Sequence, residues 1–401
     1  TDQIVASTLT DDRGQYQFVN LRPGKYQIRC QMLGRLVYYP DLQQTQNLTV
    51  KAKQTHRNID FHIPAFKKGS WRTYTTFDGM VGNQVNHILR DRGGNLWFAT
   101  SKGVSMYDGT QFVNYTKDGG LIDNGVFKIH QTGDGSIWFA TGKGLSKLEG
   151  DSFSHLTSDD GLLDAQLNDF YVDVNGFFWI GSGSGQQQNG GVTRYDGTNF
   201  QHYRATDGLG SNVVNAIFQD RSGEMWFATA AGLSRFDGNT FTNFSTSDGL
   251  SGNWVNRGAI NQSDDGRLWI GMFSWSGSKD KDGGLCQFDG KAFRSFSTQE
   301  GLQTNDLGRA YFDTNGHAWL AGRGGGALFY DGISLIHFTE KDGLADNTVR
   351  CVYPDTGGSV WFATANGVSR LDTIGLTNFT TRDGLVGNKI NDIDEGADSK
   401  L

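Results

Sequence analysis

Two tryptophans, a set of asparagines and several basic residues are the parts of this chain whose types and spacing could do chemistry. Trp254 stands in a loop where other copies of a repeated segment carry Gln, Gly, Val, Asp, Thr or Lys, and Trp275 lies in an insertion at 272–284. A second insertion, at 182–191, carries Gln187 and Asn189, and both insertions are expected to lengthen the loop between the second and third strands of their copies. A planar indole beside amide side chains offers a sugar an apolar face to stack on and convergent hydrogen bonds. Asn86, Asn168, Asn215 and Asn256 recur just past the loop between copies, where other copies place Phe127, Gly308 or Arg350. Beside them stand His87, Lys128, Arg257 and Arg309, a set of cationic groups suited to an anionic ligand, for instance an acidic sugar, through charge-assisted hydrogen bonds. The plain alternatives are tolerated surface insertions and solvated strand edges.

Other residues that could act as acids or ligands read as structural. Asp207–Gly208 and Asp248–Gly249 belong to a recurring Asp-Gly pair, and an Asp in that place accepts backbone N–H groups in a turn. Asp173-Val-Asn-Gly and Asp313-Thr-Asn-Gly look like fragments of a calcium loop but lack its downstream bidentate Glu. There is no nucleophile elbow, zinc motif or phosphate loop, so His87 and His317 are the acid–base candidates of interest for an enzyme. No metal and no cofactor is expected. Cys30, Cys286 and Cys351 are scattered and form neither a redox pair nor a disulfide framework.

The elements that must position these residues follow from a repeat. Trp97, Trp138, Trp179, Trp226, Trp269, Trp319 and Trp361 mark the same point in successive copies of 41 to 50 residues, and in the fourth copy the segment runs TDGLGSNVVNAIFQDRSGEMWFATAAGLSRFDGNTFTNF. A period in the forties with several short strands per copy specifies a β-propeller. In the first copy the innermost strand is expected at 84–90, the second at 96–100, the third at 104–107 and the outer one at 111–115. Glycine at 56 of 401 residues with only 4 prolines fits tight turns between aromatic strands, and the net charge of −7 leaves no basic footprint for nucleic acid. No apolar run is long enough to span a bilayer, so no membrane segment is expected.

The reading is therefore all-β: a propeller of seven or more four-stranded blades over 67–401, with seven full repeats and a partial eighth, preceded by a small β-sandwich fragment over 1–66. Outer strands occur eight times, from 71–75 to 376–380, and innermost strands eight times, the last at 389–393, whereas second and third strands occur seven times. The surplus implies at least one further blade, and both ends read as cut from a longer protein.

The combination F-x-x-x-D-G-L-x-x-N-x-V-x-x-I, D-x-x-G-x-[LIV]-W-[FI]-[AG]-T and G-[LV]-S-R-[FY]-D-G resembles the two-component regulator propeller, most closely in the copies with Asn253 and Asn347. The resemblance implies an extracytoplasmic, periplasmic or cell-surface sensing part of a bacterial signalling receptor, often responsive to oligosaccharides, with the output domain elsewhere in the protein. Its expected partner is thus an oligosaccharide or small polar ligand, or a protein, and its expected role is not enzymatic. Such propellers are also similar to streptogramin lyases, which keeps a lyase or hydrolase at the channel mouth as an alternative, beside a protein-binding scaffold with no small ligand. The segment DDRGQYQFVNLRPGKYQI at 11–28 resembles the carboxypeptidase regulatory-like domain, a prealbumin-type spacer, with its first strands missing.

Overall fold

The computed structural model describes residues 70–372, apart from 185–186, 274–282, 299–301, 303 and 331–334, together with four short strands nearer the N-terminus. The chain divides into two compact units, Thr1–Phe66 and Lys67–Leu401. In the first unit Gly24–Tyr26 pairs antiparallel with Leu48–Val50, and Arg29–Met32 with Arg35–Tyr38. The rest of the expected β-sandwich lies outside the described residues, as do the strands expected at 376–380 and 389–393.

The second unit is a seven-bladed β-propeller of four-stranded antiparallel sheets. Blade 1 is a meander of Val85–Arg90, Leu96–Thr100, Gly103–Tyr107 and Phe112–Tyr115, running from the innermost strand to the outermost. These bounds lie within a residue of those expected from the apolar alternation and the Gly-containing turns. Blades 2 to 6 repeat the order. Blade 7 takes its first three strands from Val349–Pro354, Ser359–Thr364 and Gly367–Asp372, and its fourth from the other end of the unit, Ser70–Tyr74. The first outer strand is therefore no surplus. It closes the ring, and the edge that Gly367–Asp372 would otherwise leave open is paired.

The core is seven separate clusters, each shared by two successive blades and including the pair of blade 7 with blade 1. The repeat tryptophan explains why. Its indole sits on the second strand and meets an aromatic ring of the next blade, as Trp97 meets Phe139 at 5.8 Å, Trp226 meets Phe288 at 5.6 Å, and Trp361 of blade 7 meets Phe98 of blade 1 at 6.1 Å. In blades 1, 3 and 4 its Nε1–H donates to the Asp of its own hairpin turn, Trp97 to Asp91 at 2.7 Å, Trp179 to Asp173 at 2.8 Å and Trp226 to Asp220 at 2.7 Å, and in blade 5 Trp269 donates to Ser263 Oγ at 3.1 Å. Asp91 also accepts the Asn95 N–H at 2.8 Å, so one carboxylate fixes both turn and indole.

The loop between blades is built as locally. In the loop entering blade 1, Asp78 accepts the Thr75 N–H at 2.8 Å and Asn83 accepts the Thr76 N–H at 2.7 Å. Gly79 between them has φ +106°, a left-handed conformation that favours glycine. The first residue of the turn between second and third strands bonds back to this loop, as Ser101 N–H does to the Gln84 carbonyl at 3.1 Å and Phe273 N–H to the Trp254 carbonyl at 2.9 Å. Both loop types thus emerge at one end of the ring.

Tyr74 on the closing strand is 1% exposed and stacks on Trp361 at 5.5 Å. Tyr74→Ala is expected to destabilise the propeller by about 3–5 kcal/mol, the usual cost of emptying a large aromatic site. The exposed neighbour change Thr73→Ala should stay within about 0.5 kcal/mol. Chemical denaturation midpoints of the two variants check this, and equal midpoints would remove the closing role from the strand.

Candidate functional site

Each innermost strand breaks register near its start. The ladder pairs Val85 with Thr100 and then His87 with Ala99, leaving Asn86 as an extra residue, and the same break sets aside Phe127, Asn168, Asn215 and Arg350. In blade 6 the break holds Gly308 and Arg309. In blade 5 it is wider, between Val255 and Ile260, because Val255–Gln262 has 8 residues where the corresponding strands have 6. Gly258 within it adopts φ +63°, which lets the two added residues fold out of the ladder. A bulge frees the extra residue from pairing and re-aims it. Here the breaks of six blades contribute to one place, a cavity of about 160 Å³ in the middle of the ring.

The wall is charged and uneven. Asn86 and His87 come from blade 1, Lys128 from blade 2, Asp169 from blade 3, Arg257 from blade 5, Arg309, Tyr311 and Arg323 from blade 6, and Arg350 from blade 7. Asp169, 1% exposed, pairs with Lys128 and accepts the Ile217 N–H of blade 4 at 2.8 Å. Arg309 donates Nε–H to the Ile260 carbonyl at 3.1 Å, and Arg350 donates from Nη1 to Asn86 Oδ1 at 2.7 Å. Tyr311 donates its hydroxyl to Cys351 Sγ at 3.1 Å. Four buried polar atoms of the wall have no partner: His87 Nδ1, Asn168 Oδ1, Arg309 Nη2 and Arg350 Nε.

The electrostatics follow from this crowding. Burial, and then the Lys128 and Arg309 charges, hold His87 well below the usual histidine range. Burial and Lys128 push the neighbouring His130 down to about 4. Burial pushes the Lys128 ammonium down, against the opposing pull of Asp169. Removal from water, then the charge of Arg323, lowers Arg350.

The sequence-predicted residues divide into groups. Asn86, Arg257, Arg309 and Arg350 meet at the cavity. Asn215 and Asn256 are buried beside it and staple neighbouring blades: Asn215 Nδ2 donates to the Val255 carbonyl at 3.3 Å and Asn256 Nδ2 to the Leu307 carbonyl at 2.7 Å. Asn86 does the same toward Val126 at 2.8 Å. Trp254 is 37% exposed on its loop and is not part of the cavity wall. Trp275 lies outside the described residues, as does the Gln187 side chain. Asn189 is exposed. The insertion at 182–191 is a correction to the expectation of a longer loop: it lengthens the two strands themselves, to Phe178–Ser184 and Gln187–Tyr195, because its backbone continues the antiparallel ladder. His317 is a second correction. It is not unpaired, since its Nδ1 lies 3.2 Å from Asp313 Oδ2 within a hairpin turn.

Sequence reasoning passed over Asp169, Tyr311 and Arg323. Asp169 is an acid in the column that otherwise holds His87, Lys128 and Ala216, and Arg323 stands where other copies have Ser101, Gly142, Ala230 and Ala365. Both departures are visible once the copies are aligned on the bulge.

Three segments, 79–102, 208–231 and 343–366, match the family described as the two component regulator propeller. These three segments are repeats of that family. The segments matched run from the interblade Gly through the innermost and second strands, the stretch that holds the bulge, the hairpin Asp and the indole. Compared by sequence with curated proteins, the chain matches none. Its fold is similar to the extracellular domains of two hybrid two-component systems of B. thetaiotaomicron, at 20% and 16% identity with TM-scores of 0.63 and 0.60, covering 76% of this chain in both cases. The chain spans only 42% and 40% of those domains. It is also similar in fold to a virginiamycin B lyase from Staphylococcus aureus solved with quinupristin, at 14% identity and TM-score 0.57, covering 76% of this chain and 99% of that one.

The two depressed histidines set a sign for pH dependence. An unfolded chain protonates histidine near about 6.5, whereas the folded propeller resists it, so the unfolded state binds more protons between the two values. Stability is fully present above about 6.5 and is lost as pH falls toward 4, by up to about 1.4 kcal/mol per pH unit for each histidine. Thermal midpoints across this window should fall for the native chain and fall less steeply for His130→Asn. Parallel curves would mean that His130 is protonated in the fold as easily as out of it.

Proposed function

We propose that the propeller is a non-enzymatic ligand-sensing module of a bacterial signalling receptor, working outside the cytoplasm and passing its signal to an output domain elsewhere in the protein. Its receptor surface is the mouth of the lumen, and its ligand is a carbohydrate or other small polar molecule. The observation that carries this reading is the contrast between scaffold and lumen. Scaffold residues recur from blade to blade, while the residues set aside by the bulges include Asn in four blades but also Phe127, Arg257, Arg309 and Arg350, and six blades send a bulge residue to one cavity. The extracellular sensor domains of similar fold support the placement and the role.

The chemistry of the wall favours binding over catalysis. Its one carboxylate, Asp169, is engaged by Lys128 and the Ile217 N–H. Its one imidazole, His87, is buried and held neutral. General acid–base work is best done by a group whose proton affinity lies near the working pH; His87 is held well below that range, and Asp169 is tied up by its partners.

Trp254 supplies an exposed apolar ring near the root of the insertion that carries Trp275. A glycan and small-molecule screen of the full chain by calorimetry is expected to give a hit, and Trp254→Ala combined with Trp275→Ala should weaken a sugar hit about tenfold or more, as loss of a stacking platform does. A hit unchanged in that variant would move the sugar away from these loops. Turnover of any bound compound would favour the lyase reading.

A further inference from the structure

The lumen carries a charge opposite to that of the whole chain. The chain has a formal net charge of −7, yet the cavity wall sets five cations against one carboxylate. That carboxylate is spent, because Asp169 pairs with Lys128 and also accepts the Phe170 N–H at 3.0 Å and the Ile217 N–H at 2.8 Å. The acids just outside are also engaged: Asp306 accepts from Asn256 Nδ2 at 2.8 Å, and Asp346 accepts the Thr348 N–H at 2.6 Å.

Two guanidinium groups are left with capacity. Arg309 spends Nε on the Ile260 carbonyl, and its buried Nη2 has no acceptor; Arg350 spends Nη1 on Asn86, and its buried Nε has none. Arg257 and Arg323 stand exposed on the same wall. A buried cationic donor with no acceptor keeps its desolvation penalty uncompensated, and the planar guanidinium fork fits carboxylate and phosphate oxygens.

We infer that the lumen is an oxyanion site, in which the carboxylate or phosphate of a small molecule is held by Arg309 and Arg350 while Arg257 and Arg323 draw it in. The assignment rests on the reading of the lumen mouth as the receptor surface, and it narrows the ligand class. A cavity of about 160 Å³ is smaller than the roughly 300–1,000 Å³ pockets that enclose drug-sized ligands. It takes one sugar acid or a small organic acid, or the acidic end of a longer glycan. Burial lowers the Arg350 and Lys128 proton affinities, helped by Arg323 and Arg309 and opposed by Asp346 and Asp169.

The test is calorimetry on the full chain with a hexuronic acid, the matching neutral hexose and inorganic phosphate, each at low and high salt. The acid or phosphate should bind, the hexose should not, and affinity should fall as salt screens the site. Arg350→Gln should weaken binding about tenfold or more, the loss of a charge-assisted hydrogen bond. Because Arg350 also holds Asn86, the exposed pair Arg257→Gln with Arg323→Gln serves as a second variant, expected to weaken binding several-fold with an unchanged melting curve. Equal binding of hexose and acid, or affinity unchanged in both variants, overturns the oxyanion site and leaves the receptor reading standing. Failure of every probe with a well-folded sample overturns both.

Discussion

The contact between the indole of one blade and an aromatic ring of the next is the interaction on which the rest of the molecule depends. A four-stranded sheet of short strands cannot bury both its faces alone, so each blade is stable only against its neighbours. The tryptophan joins two jobs in one side chain. Its ring faces outward to the next blade, and in blades 1, 3 and 4 its N–H also ties back to the hairpin Asp of its own, as in Trp97 with Phe139 and Asp91. Because the contact is directional, a linear array of seven blades would make six of them and leave one blade face unmatched at each end. The ring cancels both when Trp361 of blade 7 reaches Phe98 of blade 1.

With the scaffold held largely from between the blades, the inner edge of each sheet carries less of the structural duty. The bulge at the second residue of the innermost strand separates the side chain facing the lumen from the ladder that supports it. Asn86, Asn215 and Asn256 use the position to bond the next blade. Arg350 uses the same position to reach into the cavity. The exchange of one for the other changes the chemistry of the lumen wall without touching the Trp–Phe contacts.

How much of this was legible in the sequence depends on whether a property is local. The strands of blade 1, the Asp-Gly turns and the buried tryptophans are set by residues within one copy, and the period alone implies a ring. The fourth strand of blade 7 was not, because Ser70–Tyr74 is identical in pattern to an outer strand of any other blade and only closure assigns it. For the site, the cations Lys128, Arg257, Arg309 and Arg350 could be picked out as departures from the repeat. Asp169 escaped notice because its partner Lys128 lies one copy earlier and its second partner, the Ile217 N–H, one copy later. The staple role of Asn215 and Asn256 was hidden for the same reason: their acceptors are main-chain carbonyls of the following blade, which no side-chain pattern reports. The insertion at 182–191 misled in the other direction, since its Gly and Gln content reads as loop while its backbone pairs as strand.

Ring closure by Ser70–Tyr74 also orders events in time. That strand leaves the ribosome before any blade exists, and the partner it needs, Gly367–Asp372, is made after six blades are complete. Until then the strand has no ladder, blade 7 has an open edge, and Arg350 cannot meet Asn86 across the seam. An N-terminally clipped chain would keep every innermost strand and lose the outer strand of blade 7, leaving Gly367–Asp372 as an open edge.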